Sequence, residues 1–168
     1  MYTTFETERL VIQPTTEADA AFILELLNTP KWIQNIGDRN VKSISDAKEY
    51  IKNRITLQFE RLGYSNYTIS RKSDQKKIGV CGLYDRDGLD GIDLGFALLP
   101  QYEGNGYAFE AAEKLLSAAV NEFKIDTINA ITTKENRPSQ RLLEKLGLIF
   151  TGTVKIPGDD EELMHYRI

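Results

Sequence analysis

Residues 93–113, DLGFALLPQYEGNGYAFEAAE, constrain this chain more than any other stretch. A strand-like run over 94–99 stops at Pro100. Gly104 and Gly106 then flank Asn105, and apolar residues recur at Ala108, Ala111, Ala112, Leu115, Leu116, Ala119, Val120 and Phe123. That spacing predicts one face of a helix. The order is therefore strand, glycine-bearing turn, helix. The first turn of a helix carries N–H groups with no partner inside it, and the helix dipole makes that end positive. Glycines just ahead allow positive φ and remove the Cβ that would hold an anion away. The stretch predicts a phosphate or pyrophosphate site built from backbone. No Lys or Arg lies between Pro100 and Glu113 to assist it.

Two common phosphate patterns fail here. The dinucleotide fingerprint G-x-G-x-x-G meets Phe109 where its third glycine belongs, and the P-loop sequence G-K-[ST] is absent. Both failures count against an ATP- or NAD-binding protein. The pattern that fits is [RQ]-x-x-G-x-[GA], at Gln101, Gly104 and Gly106. It resembles the coenzyme A pyrophosphate loop of the GNAT N-acetyltransferase superfamily. The wider run LGFALLPQYEGNGYAFEA is similar to the branch that holds the ribosomal-protein alanine N-acetyltransferases, the RimJ/RimL-like group. Glu103 is a departure, because that branch usually has Trp there. The change is expected to alter packing or charge at the loop without removing its backbone donors. A second motif lies downstream: N-x-x-S ahead of E-K-x-G-[FL], matched by Asn136, Ser139, Glu144, Lys145, Gly147 and Leu148. The run ETERLVIQPTTEADA also resembles the opening of that branch.

Composition narrows the partners. Net charge is −4 over 168 residues, with 41% hydrophobic and 27% charged residues. Such a chain is expected to form one globular domain over 1–168. Its acidic balance gives no electrostatic reason to bind nucleic acid or an anionic membrane, and it suits a cationic amine. Cys81 is the only cysteine, so no internal disulfide forms, as in a reducing compartment. The opening MYTTFETERL lacks the apolar core of a signal peptide. No apolar run approaches the roughly 20 residues of a membrane helix. The expected location is cytoplasmic; monomer and homodimer both stay open.

In chain order, a strand over 9–13 ends at Pro14. Thr16 caps the next helix, with Asp19 in its first turn, and Pro30 ends it. Residues 32–41 read as irregular, with Trp32, Ile33 and Ile36 as either core or the wall of a substrate pocket, core being favoured. A helix over 45–62 has Ser45 as its cap and Gly63 as its stop. Strands over 64–70 and 77–84 flank a polar turn. Residues 85–93 fail as a calcium loop, because the glycine and the final acid are out of position, and suit a hairpin. After the central helix come a strand over 127–132, a helix over 134–148 with Pro138 in its first turn and Gly147 at its end, and strands over 148–154 and 163–168. The order βααβββαβαββ predicts an α/β (α+β) fold: a mixed, largely antiparallel central sheet with helices on both faces. This matches the GNAT-like acyl-CoA N-acyltransferase fold that the resemblance implies.

The resemblance further implies acetyl-CoA as cosubstrate, an amine as acceptor (a protein N-terminus or a small molecule), and direct attack in a ternary complex with no metal. Backbone N–H groups from Gly104 through Asn105, Gly106 and Tyr107 to Ala108, with Gln101 at the entrance, would hold the pyrophosphate. Backbone of Phe96, Ala97 and Leu98 would pair with pantetheine on a strand that splays from its neighbour. Asn136 would bond the pantetheine arm, or cap a helix, or both. Ser139 would lie near the thioester sulfur, as an acid or an orienting group. Asp93 is the candidate base; its alternative is an exposed hairpin Asp. With an ordinary pKa near 3.9 it needs burial, or a water, to serve. Glu103 is the other nearby acid, facing solvent. Cys81 reads as a buried structural thiol, since the only histidine, His165, is remote in sequence. A non-catalytic acyl-CoA sensor or scaffold is the alternative function.

Overall fold

The computed structural model describes residues 2–168. The chain opens with β1 (Phe5–Glu6), β2 (Leu10–Pro14) and a 3-10 turn, Glu17–Asp19. Four helical segments follow: α1 (Ala20–Leu27), α2 (Pro30–Asn35), α3 (Ile44–Tyr50) and α4 (Leu57–Leu62). Then come β3 (Asn66–Arg71), β4 (Lys77–Tyr84), β5 (Ile92–Leu98), α5 (Tyr107–Asn121), β6 (Ile128–Thr132), α6 (Arg137–Lys145), β7 (Ile149–Val154) and β8 (Leu163–Arg167).

Local chemistry explains most boundaries and corrects several expectations. Asp19 Oδ2 accepts from the Thr16 N–H at 2.9 Å, closing one half of a capping box. Residues 32–41 are not wholly irregular. Pro30 both ends α1 and starts α2, where Thr29 Oγ1 accepts from the Trp32 N–H at 3.3 Å. α2 has no fully buried residue: Trp32 is half-buried and packs against the main core, while Ile33 and Ile36 are 41% and 38% exposed, so those two are not core. The helix expected over 45–62 starts one turn-residue earlier, with Ser43 rather than Ser45 as cap, its Oγ accepting from the Asp46 N–H at 3.0 Å. Its middle, Ile51–Thr56, is wound as π-helix. Gly63 does stop it, at φ +83°. In α5 the buried stripe is Ala111, Ala112, Leu115, Ala118 and Ala119; Val120 is 51% exposed, and Phe123 lies past the helix end. α6 is shorter than 134–148 because it begins only after its Asn136 cap and ends at Lys145. β1 was not anticipated; it is only 2 residues long.

The sheet order is β1-β2-β3-β4-β5-β6-β8-β7. Every pair is antiparallel except β5–β6. That parallel pair is linked through α5, which lies across β4 and β5. β4 and β5 stay paired from Tyr84↔Asp93 to Gly79↔Leu98, whereas β5 and β6 pair only at Ile92↔Ile128 and Asp93↔Asn129. Beyond Asp93 the two strands part. The core divides at the same place. Leu10, Ile12, Tyr67, Ile69, Leu83, Leu94, Leu115 and Ile128 belong to the main cluster, while Ala130, Leu143, Leu148 and Tyr166 form a second one.

Candidate active site

The parting of β5 from β6 exposes one edge of β5. The Ile92 N–H donates to Thr127 O at 3.3 Å, toward β6, and the Leu99 N–H donates to Ile78 O at 2.8 Å, toward β4. Backbone groups alternate sides along a strand. Those of Phe96 and Leu98 therefore point into the gap, and those of Gly95 and Ala97 point to β4. This corrects the expectation for Ala97, whose N–H and C=O face Val80 instead of the opening.

The gap runs on to the donor loop. Gly104 and Gly106 have φ of +78° and +80°, the left-handed region that glycine alone enters freely. Gly106 caps α5, and the first intrahelical donor at that end is Glu110, to Gly106 O at 3.1 Å. The N–H groups just ahead of it, Tyr107 and Ala108 among them, lack helical partners. Asn105 Nδ2 donates to Glu103 O at 3.1 Å, and Gln101 lies exposed in the Pro100–Tyr102 turn.

Cations missing from the loop's own sequence arrive from elsewhere. Arg9 of β2 donates from Nη1 to Asn105 O at 2.9 Å and from Nε to Glu110 Oε2 at 2.7 Å, with its guanidinium 4.4 Å from the Tyr107 ring centroid. Arg71 of β3 stands 5.0 Å from the Tyr102 ring centroid. Burial pushes the Glu110 carboxyl up, but bonds from Thr7 and Arg9 outweigh it and hold the group below its ordinary value. Arg9 lies inside the run ETERL, so its position was visible while its role was not. Glu103 is not a free solvent-facing acid: it is half-buried and ion-paired with Lys31 of α2. On the far side of Gly106 a groove is lined by Arg9, Phe109, Glu113, Lys114 and Lys145, with Lys145 Nζ 4.2 Å from the Phe109 ring centroid.

Asp93 stands where β5 and β6 separate. It is 2% exposed, which overturns the hairpin alternative. Arg86 Nε donates to its Oδ2 at 2.8 Å, while the buried Oδ1 has no well-formed hydrogen bond, only the backbone N–H of Ile131 standing near the carboxyl. Burial raises its pKa to about 6, against the pull of Arg86. A carboxylate there is a usable base at neutral pH.

Tyr84 sits opposite Asp93 across β4 and β5. Its ring lies over Gly95, where a Cβ would come within 2.8 Å of Tyr84 Cε2, and over Gly82, where it would collide outright. The hydroxyl donates to Asn66 Oδ1, Asn66 Nδ2 donates to Thr15 Oγ1 at 2.8 Å, and Thr15 and Thr68 share a hydrogen bond of 2.8 Å. Burial pushes the Tyr84 phenol well above its ordinary value, so it remains a protonated donor. No motif marks this network. Its one signal was two glycines inside strands, which indicate a close approach.

Asn136 and Ser139 start α6, on the β6 side of the opening. Asn136 Oδ1 accepts from the Ser139 N–H at 3.3 Å, so capping is real, and Ser139 is half-buried. Cys81 is fully buried in β4, and burial pushes its thiol up to about 12, as suits a structural residue.

Known proteins share this fold. Residues 9–149 match the family model of the acetyltransferase (GNAT) domain. The chain is 26% identical over 156 residues to the Uncharacterized N-acetyltransferase YoaA of Bacillus subtilis (strain 168), covering 92% of this chain and 88% of that protein. Its fold matches an acetyltransferase from Agrobacterium tumefaciens str. C58 at TM-score 0.84 and 23% identity, covering 100% of this chain and 95% of the other. It also matches RimL, a ribosomal L7/L12 alpha-N-protein acetyltransferase in complex with coenzyme A, at TM-score 0.84 and 16% identity, covering 99% and 97%.

Proposed function

The chain belongs to the GNAT acetyltransferase family, and on that premise we propose that it transfers the acetyl group of acetyl-CoA to a primary amine by direct attack in a ternary complex. The observation that carries this reading is the continuity of two features: the open β5 edge leads straight to the glycine-capped start of α5.

The donor lies along that path. Backbone N–H groups around Gly104, Asn105, Gly106, Tyr107 and Ala108 take the pyrophosphate, with Gln101 at the entrance. The groove beside Phe109, with Lys114 and Lys145, takes the nucleotide end. Phe96 and Leu98 offer backbone groups to the pantetheine arm, and an N–H of this edge polarises the thioester carbonyl. Asn136 bonds the arm from the β6 side while it caps α6. Ser139 orients the sulfur end, since a hydroxyl is a weak acid. The amine is placed between the Tyr84 network and the thioester. Asp93 draws off a proton, the nitrogen attacks the carbonyl carbon, and the C–S bond breaks to release the thiol.

The acceptor is a protein N-terminus or a small amine. Thermal shift with acetyl-CoA, CoA, ATP and NAD tests the donor, and thiol release across peptides, polyamines and amino acids tests the acceptor. A ligand at 100 times its Kd stabilises by about 2.7 kcal/mol. Selective stabilisation by acetyl-CoA with thiol release supports the reading. Stabilisation without turnover on any amine points to a sensor, and no shift at saturating acetyl-CoA overturns the donor assignment.

A further inference from the structure

Asn129, fully buried in β6, anchors the chain's only histidine. Asn129 Nδ2 donates to Asp90 O at 2.7 Å, which fixes Oδ1 as the accepting end. That oxygen accepts from Arg167 Nε at 3.2 Å and lies 2.7 Å from His165 Nε2. An amide oxygen can only accept, so Nε2 of the ring must carry the proton. The neutral ring then has its lone pair on Nδ1.

Strand register places this ring at the opening. Asp93 pairs with Asn129, Asn129 with Arg167, and Ile131 with His165. Paired residues project to one face of a sheet, so Asp93, Asn129, His165 and Arg167 share a face. Strand spacing and rise put the His165 and Asp93 Cα atoms on the order of 12 Å apart. The buried Asn129 lies between them in the register, bonded to the ring.

We infer that His165 Nδ1 is a proton acceptor for the attacking amine, standing across the opening from Asp93. The inference rests on the acetyl-transfer reading above. An ammonium loses two protons on becoming an amide; the one drawn off by Asp93 passes to the departing thiolate, and the other must reach solvent. In the step assigned here an ammonium N–H bond breaks and an Nδ1–H bond forms. The half-buried imidazolium then releases its proton to bulk water. The surroundings favour release. Burial, and after it Arg167 beside the ring, lower its basicity. Opposite the ring, β7 presents Gly152 and β6 presents Ile131. Arg86, in the β4–β5 connection, pairs with Asp93. Among the described residues no carboxylate bonds to the ring.

One histidine makes the test clean. In the 15N-histidine-labelled whole protein, without ligand, a single pair of ring nitrogens is expected, with the proton on Nε2 and a titration midpoint below the ordinary value of about 6.5. His165→Gln keeps a donor toward Asn129 and removes the titrating nitrogen. With acetyl-CoA and the fastest amine of the panel, its kcat/KM at neutral pH is expected to fall about 100-fold or more, with part restored by free imidazole. A proton on Nδ1 in the wild-type spectrum, or a folded His165→Gln protein with an unchanged pH–rate profile, overturns the inference. Failure of the acetylation reading shows separately, as absence of an acetyl-CoA thermal shift.

Discussion

Replacing Asp93 by Asn should stabilise the protein while disabling it. A buried carboxylate with a pKa of about 6 is ionised at pH 7.5 against its own burial. In the unfolded chain its pKa returns to about 3.9, so the difference is about 2 units, or about 3 kcal/mol. The sign follows from linkage. A carboxyl raised in the folded state contributes stability that is full below the unfolded pKa and is lost as pH rises through the folded pKa. Wild type should therefore lose about 3 kcal/mol from this group between pH 4 and pH 7.5, and Asp93→Asn should not. Arg86 is left without its partner, but it is partly exposed and can rehydrate, which limits the offset. The assay is denaturant unfolding of both proteins at pH 4, 5, 6 and 7.5. The variant should gain on wild type as pH rises, with the change spread between about pH 4 and about pH 6, and its kcat should fall. A stability difference independent of pH, or one that favours wild type more as pH rises, would refute the buried-base argument.

Other substitutions separate the donor loop from the acceptor side. Gly95→Ala drives a Cβ into the Tyr84 ring; a cost of about 1–3 kcal/mol in stability is expected, with KM for the amine raised and coenzyme A affinity, measured by calorimetry, unchanged. Gly106→Ala places a side chain at φ +80° and 3.4 Å from Arg9 Nη2; strain of about 1–2 kcal/mol and a Kd for coenzyme A raised at least about tenfold should appear together. Arg9→Ala removes a half-exposed ion pair, so stability should fall by no more than about 1 kcal/mol. Coenzyme A should nevertheless bind several-fold more weakly, because the Asn105 carbonyl loses its strut.

Local signals carried the fold further than the site. The glycine turn at Gly104 and Gly106, the Asn136 cap and the Gly63 stop each follow from backbone conformation, which neighbouring residues dictate. The two-residue β1 and the π-turn at Ile51–Thr56 have no such signature; they are imposed by packing at the sheet edge and between helices. α2 was hidden because Pro30 reads equally as the end of one helix and the start of the next. In the site, the motif residues were legible, but their partners were not. Arg9, Arg71 and Lys31 reach the donor loop, and Tyr84, Asn66 and His165 reach the Asp93 face, only because the sheet order brings distant strands together. Ala97 was misassigned for a related reason. Which edge a backbone group faces depends on strand alternation relative to both neighbours, and sequence does not reveal when one neighbour departs.

That departure has a measurable consequence. Buried backbone groups are almost always paired, and β5 keeps half of its partners through β4 while losing the other half beyond Asp93. The opening is therefore a strand edge held ready for an extended amide-bearing ligand, and pantetheine is one. The two core clusters meet at Phe96, Leu116 and Leu146. Amide hydrogen exchange should report the open edge residue by residue. In the free protein, Gly95 and Ala97, paired with β4, should exchange slowly, and Phe96 and Leu98 should exchange faster though they are neighbours on one strand. Saturating coenzyme A should slow Phe96 and Leu98 selectively. Equal protection of all four amides without ligand would mean that β5 is paired on both sides in solution, and it would remove the edge on which the donor site depends.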